Sequence, residues 1–246
     1  MKRALCALLL TLVCASAMCG EALPLRGWDQ KEGYVYVALG RWPQTAEGDK
    51  EPIVWRVLTV EDGAAYLLSE YVLLAHPMHE DYQEYARIGG DFSQTDLCRY
   101  LNEDFAAEAF APGELALLKA LEPYGKVFVP DSADVKNERY GLGNVKLNAD
   151  PTPYARKTRG ANGEKDKAHW YWDTGHTHGP YWLRNQSTTN RQAARATKAN
   201  GTVGYINSAY TDIGVRPAVL LKLDGLAAEG GEGTLESPFT LAVRAE

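Results

Sequence analysis

Cysteine is scarce in this sequence. Of four in 246 residues, Cys6, Cys14 and Cys19 all fall before residue 20, and only Cys98 lies in the body of the chain. No intrachain disulfide framework can be drawn, so stability must come from the core. Basic charge is short as well: Lys and Arg number 26 against 32 Asp and Glu, a formal charge of −6. No basic stripe is visible, which argues against the phosphate-neutralising face that a nucleic-acid binder needs. No apolar run reaches the roughly 20 residues of a membrane span. Gly-x-Ser-x-Gly, His-Glu-x-x-His, a P-loop and Gly-x-Gly-x-x-Gly are all missing, and Gly141-Leu142-Gly143 is a lone glycine pair. Catalysis therefore finds no clear support in the sequence.

What is present is an ordinary globular composition, 45% hydrophobic and 24% charged, suited to one large domain. The N-terminus sets the compartment. Met1-Lys2-Arg3, the apolar run Ala4 to Val13 and the A-x-A signal Ala15-Ser16-Ala17 predict a secretory signal peptide over residues 1–20. The expectation is a secreted or envelope-associated protein. Two alternatives stand beside simple cleavage there. Ser16-Ala17-Met18-Cys19 resembles a bacterial lipoprotein box that would put a lipid anchor on Cys19, although Met18 fits the box poorly, and cleavage after Ala22 is the other.

Further along, Gly33 to Leu39 alternates as a strand, and Gly40 to Glu51 reads as a polar loop. Pro52 to Val60 and Ala65 to Tyr71 are strands joined by Glu61-Asp62-Gly63, a strong hairpin signal because glycine takes the positive φ that the turn requires. His76 to Asp91 reads as a solvated loop. A helix is expected over 94–104, capped from Ser93-Gln94-Thr95-Asp96, with Cys98 as a small buried residue, and a second from Pro112, closed by Pro123. Lys126 to Pro130 is a short strand, Asp131 to Val135 starts a helical turn, and Glu138 to Asp166 reads as a long exposed insertion. Tyr181-Trp182-Leu183-Arg184 and Gly214-Val215-Arg216-Pro217-Ala218 each put an arginine inside an apolar run. A buried guanidinium must find acceptors for its donors. The two segments therefore predict neighbouring core strands with Arg184 and Arg216 in structural roles. Residues 224–246 read as a flexible link with a C-terminal edge strand.

The order of Gly40-x-Trp42-Pro43-Gln44-Thr45, Pro52-Ile53-Val54-Trp55-Arg56-Val57-Leu58, Leu67-Leu68-Ser69-Glu70-Tyr71, Leu97-Cys98-Arg99-Tyr100-Leu101-Asn102, Lys126-Val127-Phe128, Tyr181-Trp182-Leu183-Arg184 and Val215-Arg216-Pro217-Ala218 resembles the bacterial DUF6273 family, a domain of unknown function, over about residues 33–223 within an expected domain at 23–223. Leu183-Arg184-Asn185 departs from the Leu-Arg-Ser common in that family, and Val129-Pro130 from its Leu-Ser pair. The Trp-Leu-Arg and Val-Arg-Pro-Ala ending is in turn similar to that of C-type-lectin-like domains, which the resemblance implies only as a fold. Their calcium-type sugar motifs do not occur here. With Cys98 alone, the cysteine pair of the sulfatase-modifying branch is missing too.

The most suggestive chemistry lies in His169-Trp170-Tyr171-Trp172-Asp173-Thr174-Gly175-His176-Thr177-His178. Trp170 and Trp172 could stack on sugar rings or peptide side chains, while Asp173 and Asn185 fix polar groups. Trp182 reads as core. Asp173, His176 and His178 could instead hold a divalent metal such as zinc, since imidazoles and carboxylates are its usual ligands. The sequence thus predicts a single compact α+β domain with a mixed or antiparallel sheet and two main helices. Its expected role is a non-catalytic binding module for a glycan, a cell-wall component or an envelope protein, with no cofactor. A metal-dependent hydrolase built on Asp173, His176 and His178 is the alternative, and a purely structural envelope protein is a third.

Overall fold

The computed structural model describes residues 23–143, 147–158 and 178–243. The expected leader, with Cys19, lies outside the described residues. The strands are β1 Tyr36–Pro43, β2 Lys50–Glu61, β3 Ala64–Ser69, β4 Leu74–Ala75, β5 Leu118–Lys119, β6 Val127–Phe128, β7 Trp182–Gln186, β8 Ala193–Thr197, β9 Val203–Asn207, β10 Gly214–Val215, β11 Ala218–Lys222, β12 Leu226–Gly230 and β13 Thr240–Val243. The helices are α1 Tyr82–Arg87, α2 Asp96–Tyr100, α3 Ala106–Ala109, α4 Pro112–Leu117 and α5 Pro153–Thr158. This is a mixed α+β architecture in which antiparallel sheets dominate and the helices are short.

The main sheet runs β1-β2-β3-β11-β5, with β6 also paired to β11. Its β2–β3 hairpin turns at Asp62 (φ 49°) and Gly63 (φ 69°), the left-handed pair expected of an Asp-Gly hairpin. The strands carry irregularities that the alternation pattern conceals. In β1 the register slips between Ala38 and Arg41, with Gly40 at φ 70°. The strand therefore continues through Trp42 and Pro43 where a loop was expected from residue 40. A Cβ at Gly40 would stand 2.8 Å from the Ala109 carbonyl oxygen and from the Phe110 ring, so the bulge also lets the helical layer approach. In β2 the slip between Val57 and Thr59 allows both Val57 and Leu58 to be fully buried.

The helical layer is α2, a π-helical turn at Leu101–Phe105 and α3 in one run. Its cap is Thr95, whose hydroxyl accepts from the Cys98 N–H at 3.2 Å, rather than a residue farther upstream. Phe105 meets Trp42 at 4.6 Å between ring centroids, and Phe110 stacks on Trp55 at 6.2 Å. Burying an aromatic of that size contributes about 4–6 kcal/mol before entropy is counted. The indole N–H groups of Trp42, Trp55 and Trp182 donate to the Leu73, Leu39 and His76 carbonyls at 3.2, 2.8 and 2.7 Å, so none is orphaned by burial. Helix α4 breaks at Leu118, where the chain becomes extended and enters β5, sooner than the closing proline suggested.

A second sheet, β7-β8-β9, sits beside the first. Trp182-Leu183-Arg184 and Arg216-Pro217-Ala218 are therefore not paired neighbours in one sheet, as the sequence led one to expect. Their backbones meet at a parallel bridge between Tyr181 and Gly214, where a Cβ on Gly214 would come within 2.5 Å of the Pro180 carbonyl oxygen. Residues 224–243 form the β12–β13 hairpin. Its loop reaches back to β1, with Tyr36 N–H donating to the Gly233 carbonyl at 2.9 Å and Ala38 N–H to that of Phe239 at 2.8 Å.

Two stretches expected to be solvated are packed. Within 76–91, Met78 and Tyr85 are fully buried and His79 nearly so, and Asp81 caps α1 by accepting from the Gln83 and Glu84 N–H groups. His79 Nδ1 lies 2.8 Å from an Asp96 carboxylate oxygen. In the 138–166 stretch, Leu142, Leu147, Ala149 and Ala155 are buried, so its described part is not an exposed insertion. Among the described residues, no helix is long and apolar enough to cross a membrane.

Candidate functional site

Two parallel contacts assemble the site. The Val72 N–H donates to the Asp150 carbonyl and the Thr152 N–H to the Val72 carbonyl, both at 3.0 Å, which places Tyr71 alongside Asp150 and Pro151. Thr152 then caps α5, its hydroxyl accepting from the Ala155 N–H at 3.1 Å, and Pro153 fills the first helical position, where its missing N–H costs nothing. On the other side, the turn after β1 is closed by its own side chains. The Gln44 amide donates to the Glu51 and Pro52 carbonyls at 3.0 and 2.9 Å, and the Thr45 hydroxyl donates to Asp49 at 2.8 Å. The two sides are joined by Tyr154 N–H on the Gln44 carbonyl at 3.1 Å and by Lys157 Nζ on that of Ala46 at 2.7 Å.

Between them lies an open cleft of about 580 Å³, with Tyr71, Pro151 and Pro153 as apolar walls and Thr45, Glu47, Glu51 and Asp150 as polar ones. That volume falls within the range of small-ligand sites, and a mostly apolar wall with a few polar groups is their usual make-up. Burial raises the Tyr71 phenol above its ordinary value, and the Glu70, Asp150 and Glu236 carboxylates add to the effect while Arg56 opposes it. Tyr71 is thus a neutral aromatic that keeps its O–H as a donor at neutral pH, beside carboxylates that only accept. Such a set suits hydroxyl-rich or amine-bearing ligands.

Of the residues nominated from sequence, Trp170, Trp172, Asp173 and His176 lie outside the described residues. His178 is described: its Nδ1 sits 2.7 Å from Asp150 Oδ1, so the end of the His-rich segment is tied to the wall of the cleft. Asn185 is placed elsewhere. Its side-chain oxygen accepts from the Ser132 N–H at 2.6 Å and fixes β7 to the turn that presents Asp131 and Asp134, which is an architectural role. Among the described residues, no group of three or more His, Cys, Asp or Glu side chains is placed to hold a metal ion.

The remaining polar features serve the fold. Arg184, largely but not fully buried, bonds to Asp131 at 2.9 Å, Asp134 at 3.0 Å and the Val129 carbonyl at 2.7 Å, in keeping with the structural role expected of it. A smaller hollow of about 410 Å³ lies beside Cys98 and Asn102. The Asn102 amide is consumed there: its oxygen accepts from the Lys126 and Val127 N–H groups, and its nitrogen donates to the Cys98, Tyr124 and Val127 carbonyls. Burial pushes the Cys98 thiol up to about 11, which leaves it protonated and inert at neutral pH. Sequence reasoning passed over the cleft because its walls come from residues 44–51, 71 and 150–153. Tyr71 and Pro151 each read as ordinary strand and loop residues, and only the Val72 pairing unites them.

No family model, curated protein or solved structure matches the chain. The class that the geometry itself defines is a mixed α+β domain that carries, among the described residues, an acidic cleft with an aromatic wall.

Proposed function

We propose that this is a secreted or envelope-associated, non-catalytic binding module that takes a carbohydrate segment of a glycan or cell-wall polymer in the Tyr71 cleft. The observation that carries the reading is the cleft itself, in which an aromatic ring, two prolines and several carboxylates converge around a space of ligand size. Sugar rings offer apolar faces to tyrosine and hydroxyl groups to carboxylates, so one ligand class uses both kinds of wall. The motif order supports membership of the DUF6273 family and a C-type-lectin-like arrangement as parts of the same proposal. The N-terminal signal supports its location, with a lipid anchor at Cys19 as the tethered form.

The test is retention on insoluble peptidoglycan and on a glycan array, with Tyr71→Ala and Glu51→Gln beside the unaltered chain. Binding weakened about 5- to 30-fold in Tyr71→Ala, with the melting temperature held, is the expected result, since loss of one stacking contact is worth about 1–2 kcal/mol. Equal retention of all three proteins, or none by any, would overturn it.

One observation favours the hydrolase alternative. A metal-ligating histidine generally holds a carboxylate on its other ring nitrogen, and the His178–Asp150 pair has that form. Elemental analysis after dialysis against metal-free buffer decides between the two. About one equivalent of zinc, lost in His178→Ala, would establish a metal site there and open the search for a hydrolytic substrate.

A further inference from the structure

Arg216, between β10 and β11, is fully buried. Its Nε donates to the Ser69 carbonyl at 2.7 Å and its Nη1 to the Tyr181 hydroxyl at 3.3 Å, and the guanidinium carbon lies 5.3 Å from the Tyr181 ring centroid. Its Nη2 is buried with no hydrogen-bond partner. All the partners it does have are neutral.

The nearby charges do not balance it. Glu70 is the acid whose field reaches Arg216, yet both Glu70 oxygens are taken by Arg56, from Nε and Nη2 at 2.6 Å each. Arg56 itself repels Arg216: burial first, and then Arg56, holds the Arg216 pKa below its ordinary value. An arginine does not surrender its proton in a protein at neutral pH. Among the described residues, the cluster of Arg56, Glu70 and Arg216 therefore carries one net positive charge. A buried ion left without a counter-charge costs several kcal/mol. A water molecule would satisfy the N–H groups of Nη2 but leave that charge in place.

We propose that a small monovalent inorganic anion, of the halide class, binds at Arg216 Nη2 and completes both the hydrogen bonding and the charge of this site. A spherical monoanion needs only the one free edge of the guanidinium, whereas an oxyanion such as sulfate would bring oxygens for which the site shows no further donors. The neutral Tyr181 hydroxyl stays neutral beside it, because burial raises its pKa. The anion is structural, held at the junction where Ser69 of the main sheet, Tyr181 before β7 and Arg216 meet, and it is separate from the Tyr71 cleft.

Thermal unfolding of the full mature chain in sodium chloride, bromide or gluconate, at one pH and ionic strength, tests this. A ligand that binds only the folded state raises the melting temperature in step with the logarithm of its concentration. The expected shift is about 3 °C per tenfold rise in halide above the dissociation constant, with none in gluconate and none in Arg216→Met. If that variant does not fold, crystals of the unaltered chain grown in bromide decide: an anomalous peak in contact with Nη2 is expected. Identical melting curves in halide and gluconate, or bromide crystals with no anomalous peak at Nη2, would overturn the proposal.

Discussion

His76 belongs to no expected motif, yet its surroundings make it a sensor of pH. Its ring stacks on Tyr100 at 4.6 Å between centroids, and its backbone carbonyl receives the Trp182 indole N–H. Burial lowers its pKa from 6.5, opposed by the Pro77 carbonyl, which its Nδ1 contacts. The unfolded chain then binds a proton more readily than the folded one. Stability is full above about pH 6.5 and falls as pH drops from there to the lower folded value. Urea midpoints measured from pH 7.5 down to 5 should show that loss, and His76→Phe, which keeps the stack, should flatten that portion of the curve. Asp and Glu residues with depressed values, such as Asp91 and Asp96, act only at lower pH. Arg184 is the contrasting residue. Its setting in an apolar run already demanded acceptors, and the structure supplies them from Asp131, Asp134 and Val129. Its role was readable because only a few partners satisfy a buried guanidinium. Those partners' identities were not readable, since they lie some fifty positions upstream.

Among the elements, the β2–β3 hairpin was the most legible, because Asp62-Gly63 encodes a turn in two adjacent residues. Helix α1 was hidden. Of its six residues, Tyr85 alone is buried, so no apolar stripe marks it, and its cap Asp81 looks like one more polar residue in a polar run. The extension of β1 was masked by its bulge, since the slip at residues 39 and 40 breaks the alternation that identifies a strand. Two glycines separate the turn from the bulge experimentally. Gly63 has open space around its missing side chain, so Gly63→Ala meets only backbone strain and should cost about 1 kcal/mol. Gly40→Ala adds a collision with the Ala109 carbonyl and should cost about 3 kcal/mol or more. Denaturant unfolding of the two variants checks the order, and equal costs would show that the helical layer yields at Ala109.

At the scale of the molecule, the α+β class and the burial of Trp182 followed from the patterning of strands and helices. The cleft and the division into two main sheets did not, because both depend on long-range pairings: Val72 with Pro151 and Tyr181 with Gly214. The β12–β13 hairpin illustrates the same dependence. By bonding to Tyr36 and Ala38 it covers the outer edge of β1, and unpaired strand edges invite association. A chain ending at Leu223 should keep a cooperative unfolding transition, but melt lower and show concentration-dependent association in sedimentation velocity. Monomeric behaviour at all concentrations would show that the edge is harmless.

The position of β11 has a consequence for biosynthesis. It is paired to β3, β5 and β6 at once, so the interior of the main sheet is a strand made only after more than two hundred residues have been polymerised. The β1-β2-β3 meander forms earlier, but the outer edge of β3 has no strand partner until then. If the chain is exported, as the proposed location requires, it reaches the export step with the main sheet still open at β3. On that proposal, guarding the open edge until residue 222 has been made would fall to the export machinery and its chaperones, because the order of strands in the sheet places β11 last.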